Sequence, residues 1–121
     1  MSTKHIQKII PTAIKAAEKH LVNNGKISSE YNGYISSFGA SVISAGLLPS
    51  IIFYSQQGES KERQKIIAAI EQILRKHGYP DINLLEKVEK LFKGKNTQAD
   101  INRLTEKIFD AAKALKLAIR T

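Results

Sequence analysis

Hydrophobic positions recur at steps of three and four along most of the chain, the period of an amphipathic helix. From Thr3 to about Val22, the residues Ile6, Ile9, Ile10, Ala13, Ile14, Ala17 and Leu21 form one apolar stripe. Pro11 either kinks this helix or sits in the first turn of one starting near Ile10. Asn23-Asn24-Gly25 tolerates left-handed backbone and ends it. The pattern then changes: from Tyr31 to Gln57 there is no Lys, Arg, Asp or Glu. Gly46 and Pro49 divide this run in two. Before them, with Ser28 or Ser29 as cap and Glu30 in the first turn, Tyr34, Ile35, Phe38, Val42 and Ala45 share one helix face. Gly33, Ser37, Ala40, Ser41 and Ser44 make the opposite side small, suited either to close internal packing or to a flat contact with another subunit. After them, Ile51, Ile52, Phe53 and Tyr54 read as a shorter, almost wholly apolar helix. Gly46 suits a left-handed C-terminal cap, and Pro49 suits the first turn of the next helix. The expectation is a buried helical hairpin on which amphipathic neighbours lie.

The rest of the chain supplies those neighbours. Ser60 is a good N-cap for a helix to about His77, with Ile66, Ile67, Ile70, Ile73 and Leu74 inward and Gly78 and Pro80 stopping it. A shorter helix from about Asn83 turns Leu84, Leu85, Val88, Leu91 and Phe92 inward and ends at Gly94. Thr97-Gln-Ala-Asp100 resembles a capping box and opens the longest helix, striped by Ile101, Leu104, Ile108, Ala111, Ala112, Leu115 and Ile119. No stretch alternates apolar and polar residues, so no sheet is expected. The predicted fold is all-α, a single domain over residues 1–121 with about five to six helices around the hairpin.

The uncharged run is long enough to span a bilayer. Serines 36, 37, 41 and 44 and the Gly–Pro break argue against a span, and the flanking helices would lose the partner for their apolar faces. With 121 residues the chain can bury roughly two-thirds of its unfolded surface without staples. The lack of Cys excludes disulfides, zinc thiolates and cysteine nucleophiles. Together with a Lys-studded start unlike a signal peptide, it points to the cytoplasm.

Charge adds a partner class. The formal net charge is +8, which favours a polyanion, chiefly nucleic acid. No block of like charge occurs, so the positive charge lies on helix faces. Lys4, Lys8, Lys15 and Lys19 share one side of the first helix. Lys61, Lys65 and Lys76 repeat that spacing, with Gln72 in the remaining place and Arg75 adjacent. No catalytic constellation is visible. His5, His20 and His77 sit near helix ends, where they favour the dipole rather than a metal. Acidic residues alternate with Lys at helical spacing, as in Glu86–Lys90 and Glu106–Asp110–Lys113, and read as solvated faces. Phosphate loops and metalloprotease motifs are absent, so no cofactor and no metal are expected.

Gly46-Leu47, the apolar aromatic-containing helix after it and the Tyr- and Ser-rich helix before it resemble the small subunit of type III-B (Cmr-type) CRISPR effector complexes. The resemblance is most recognisable over about Tyr31 to Tyr54 and extends to chain length, helical pattern and basic charge. It implies a non-catalytic antiviral scaffold subunit. Copies of it stack along the complex beside the other subunits, and their basic faces line the groove for guide-paired target RNA. Lys15 and Lys19, with Lys61 and Lys65, are the expected RNA contacts, because both pairs lie off the apolar stripes at four-residue spacing. Arg103, Lys107, Lys113 and Arg120 are the next candidates. Tyr31, Tyr34, Phe38 and Phe53 are expected in the core rather than as base-stacking platforms. The competing reading is a helical protein–protein adaptor with no nucleic-acid role.

Overall fold

A computed structural model describes residues 3–56, 61–94 and 98–119. Helix α1 spans Thr3–His20 and runs through Pro11. Pro11 and Gln7, whose carbonyl the missing N–H would have engaged, both face solvent, where water can satisfy that carbonyl. Ile9, Ala13, Ala16, Ala17 and Leu21 are buried, whereas Ile14 lies at the rim of the stripe.

Beyond α1, strands β1 (Val22–Asn23) and β2 (Lys26–Ile27) pair antiparallel, Val22 with Ile27 and Asn23 with Lys26. This small ladder corrects the expectation of no sheet. Asn24 and Gly25 have φ of 55° and 77°, so both turn residues take the positive φ of a type I′ hairpin, which matches strand twist.

Helix α2 (Glu30–Ala45) begins where the Ser28 hydroxyl accepts the Glu30 N–H at 3.2 Å. Tyr31, Ile35, Phe38 and Val42 are buried, Tyr34 is half-buried, and Ala45 is exposed rather than part of the apolar face. Gly46 links α2 directly to α3 (Leu47–Ser55). Its φ of 97° and ψ of 165° lie outside the left-handed helical region expected of it, in a region open essentially to glycine alone. Leu47, Ser50, Ile51 and Tyr54 form the inner face of α3. The expectation of a wholly buried apolar helix fails at Ile52 and Phe53, which are 41% and 45% exposed. Their positions face away from the stripe set by Leu47, Ile51 and Tyr54. The hairpin is fastened internally: Ser50 Oγ donates to the Gly46 carbonyl at 2.8 Å, which leaves the Ser41 hydroxyl to donate to Ser50 at 2.6 Å. The Phe38 and Tyr54 rings meet edge to face at 5.0 Å, and the Tyr54 hydroxyl donates to the Tyr34 carbonyl.

Helix α4 (Lys61–Lys76) touches α1, α2 and α3, and its buried row runs from Ile66 to Leu74. The expected cap Ser60 lies outside the described residues. At the other end Tyr79 N–H reaches the Leu74 carbonyl across Gly78 at φ 107°, a Schellman-type closure. Arg75 donates from Nη2 and Nε to the Ile82 carbonyl at 2.9 and 3.2 Å, and Glu71 accepts the Leu84 N–H at 2.7 Å. These bonds bind the connection to α5 (Leu84–Lys93), where Asn83 caps the Glu86 N–H. Phe92, expected inward, is exposed at the end of α5.

Helix α6 (Gln98–Ile119) packs along α1 and also meets α4 and α2. Thr97 of the expected capping box lies outside the described residues. Alanines supply much of the buried face of each of these two helices: Ala13, Ala16 and Ala17 on α1, and Ala111, Ala112, Ala114 and Ala118 on α6. Asp110, read from sequence as solvated, is buried, because the contact surface of α6 broadens toward its C-terminus. Among the described residues no helix is long and apolar enough to cross a membrane.

An expected outcome separates the two halves of the hairpin. Val42→Asp places an unpaired carboxylate in the core and costs several kcal/mol, comparable with the stability of a domain this size. Ile52→Asp keeps a near-wild-type melting temperature. Equal losses in thermal denaturation of the two variants would refute the assignment of faces.

Candidate nucleic-acid interface

Helices α1 and α4 are hydrogen-bonded to each other at two levels. Thr12 Oγ1 and His77 Nε2, just past the end of α4, are 3.1 Å apart. His20 Nε2–H, at the end of α1, donates to Gln72 Oε1 at 2.9 Å. Residue numbers rise along one helix as they fall along the other, so the pair is antiparallel. To the dipole expectation for His20 and His77 the structure adds a second role, as cross-helix fasteners; the His5 side chain lies outside the described residues.

These bonds place the lysines. Lys8, Thr12, Lys15 and Lys19 follow one another at steps of four, three and four, a single helix face. Lys61, Lys65, Gln72 and Lys76, at steps of four, seven and four, also share a single face of α4. Each lysine stripe thus contains a residue bonded to the opposite helix, and the two stripes border one seam. Lys8, Lys15, Lys19, Lys61 and Lys76 are exposed and Lys65 is half-buried. Neither stripe contains an acidic residue.

The four lysines singled out from sequence are staggered along this seam. Lys19 adjoins His20 and so stands level with Gln72. With a rise of about 1.5 Å per residue, Lys65 and Lys61 lie ~10 Å and ~16 Å farther along α4, and Lys15 lies ~6 Å from Lys19 in the opposite sense. The two pairs therefore do not face each other. Lys76, next to the His77 that meets Thr12, is the α4 lysine nearest in level to Lys15. Lys76 and Lys8 extend the seam beyond the four expected residues; their spacing was visible in the sequence, but the level at which the helices meet was not.

Other cations are more engaged. Arg75 holds the Ile82 carbonyl and lies 3.9 Å from Glu71. Arg63 lies over the Phe53 ring at 4.8 Å and over Tyr34 and Tyr54 at 5.9 Å, which occupies those aromatic faces. On α6, Arg103 is 3.9 Å from Asp100, Lys116 donates to Ser36 and Lys107 is half-buried. Lys113 is exposed, and the Arg120 side chain lies outside the described residues.

One titratable group on the seam departs from its ordinary value. Burial holds His20 below the ordinary histidine value, Lys19 and Arg75 act in the same direction, and the Gln72 bond and Glu71 oppose them. Among the described residues no cluster of His, Asp and Glu could hold a metal ion. A hollow of about 240 Å³ beside Ser55, Gln64 and Asn83 contains one carboxylate, Glu71, already engaged by the Leu84 N–H.

A family profile described as CRISPR-associated protein (Cas_Cmr5) matches residues 5–119. The chain belongs to that family. Membership makes it a subunit of a type III-B, Cmr-type CRISPR complex, in association with other subunits of that complex. Among curated proteins and solved structures, none matches the chain. For this Cas_Cmr5 member the resemblance drawn from Tyr31–Tyr54 is therefore correct, and the profile extends it over nearly the whole chain.

His20 carries a pH-dependent part of the stability. Its folded value lies below the ordinary 6.5, so the unfolded chain binds the proton first. The contribution is full above about pH 6.5 and is lost as the pH falls from there toward the folded value. Chemical denaturation at pH 7.5 and 5.5 should show the stability gap between wild type and His20→Gln narrowing at the lower pH. A constant gap would contradict the shift.

Proposed function

We propose that the chain is a non-catalytic scaffold subunit that stacks in copies along a Cmr-type effector complex. Its α1–α4 seam then lines the groove for guide-paired target RNA, in the cytoplasm and in antiviral defence. The observation that carries this reading is the pair of acid-free lysine stripes meeting along one seam. Sequence recognition in such a complex is delegated to base pairing, so the protein needs only to neutralise phosphates. Lysines on a rigid helix pair meet that need without base-reading or stacking side chains.

The outer face of α2 supports the stacking. Gly33, Ser37, Ala40 and Ser44 are exposed, and Ile43 beside them is 79% exposed. A Cβ added at Gly33 would meet nothing. In a chain of net charge +8, a second copy meets least repulsion at an uncharged face.

Replacement of Lys15, Lys19, Lys61 and Lys65 by Ala in the assembled complex is expected to weaken target-RNA binding. The log–log salt slope should flatten by about 0.7 per lost contact on single-stranded RNA, with sequence preference unchanged. An unchanged slope would move the RNA path to the Arg103, Lys107 and Lys113 face of α6. No loss of affinity there either would favour the adaptor reading.

Ala40→Glu tests the stacking face. The variant should fold normally in isolation and lower the number of copies per complex seen by native mass spectrometry. Wild-type copy number would place the stacking contact elsewhere.

A further inference from the structure

We propose that His20 takes up a proton when an RNA strand occupies the α1–α4 seam, so that the seam holds RNA more tightly as the pH falls below neutrality. This rests on the seam's role in RNA binding and adds the regulation of that site.

His20 is half-buried at the end of α1, between the lysine stripes. The charged groups facing it are Lys19 on its own helix, and Arg75 and Glu71 on α4. Its bond to Gln72 uses Nε2–H as donor. That donor is present both in this neutral tautomer and in the imidazolium, because the added proton goes to Nδ1. Protonation therefore leaves α1 fastened to α4. Burial opposes the charge, and so do Lys19 and Arg75, while Glu71 favours it. Glu71 is itself held by the Leu84 N–H and lies 3.9 Å from Arg75.

A phosphate drawn to Lys19 offsets the positive potential of that ammonium group and favours the imidazolium. Linkage is reciprocal: RNA that raises the proton affinity of His20 is itself bound more tightly, by the same factor, once His20 is protonated.

The direct test needs no variant. Histidine C2–H resonances of the full chain are titrated with pH at low ionic strength, with and without oligouridylate. The His20 midpoint should rise by about 0.5 to 1 pH unit when the oligonucleotide is present, equivalent to about three- to tenfold tighter binding of RNA to the protonated form. In the assembled complex, the ratio of target-RNA affinity at pH 5.5 to that at pH 7.5 should be larger for wild type than for His20→Gln by a similar factor. If oligouridylate perturbs the Lys15, Lys19 and Lys76 resonances while the His20 midpoint stays put, the proton linkage is wrong and the seam remains an RNA site. If neither lysines nor His20 respond, the linkage and the seam reading fail together.

Discussion

Two lysine-bearing helices lie side by side, and what joins them must hold two positively charged surfaces together. Burial does most of this. Ile9, Ala13, Ala16 and Ala17 on α1 and Ile66, Ala69, Ile70 and Ile73 on α4 bring the helices into one core, while the lysines stay at the water boundary. The Thr12–His77 and His20–Gln72 bonds then set level and direction. A slip of one helical turn would break both and change which ammonium groups are neighbours.

The hairpin and the α4–α5 connection perform different tasks around that pair. Gly46 turns the chain so sharply that α2 and α3 close on each other through Ser41 and Ser50, with Phe38 against Tyr54 beneath. Arg75 and Glu71 hold the Ile82 carbonyl and the Leu84 amide, so two charged side chains of α4 are committed to architecture. Charge in this chain is thus divided between residues that complete the backbone's hydrogen bonding and residues left at the surface.

The stripes of α1, α4 and α6 were legible in the sequence because their polar and apolar residues alternate with helical period. Where that contrast vanishes, legibility fails. In Ile51-Ile52-Phe53-Tyr54 every residue is apolar, so composition alone did not reveal that Ile52 and Phe53 face outward. Asp110 failed for the opposite reason, since a carboxylate at helical spacing from Lys113 looks solvated until packing buries that part of α6. Asn24-Gly25 carried a hairpin signal, but the flanking strands are only two residues long and no alternation accompanies them. For the site, the lysine faces were readable and their stagger was not, because the level of two packed helices is set by contacts distant in sequence.

The buried alanines of α1 and α6 have a consequence for how such a chain can diverge. Large core residues such as Ile70 or Leu115 can be exchanged for others of similar volume, because a side chain can find another rotamer. A buried alanine has no rotamer to give up, and Ala13, Ala16 and Ala114 have no exposed surface toward which an added methyl group could turn. Over long drift the smallest residues of α1 should therefore be the slowest to change. An enlargement there would tilt the whole lysine-bearing rod, altering the spacing of its charges before it unfolds the protein.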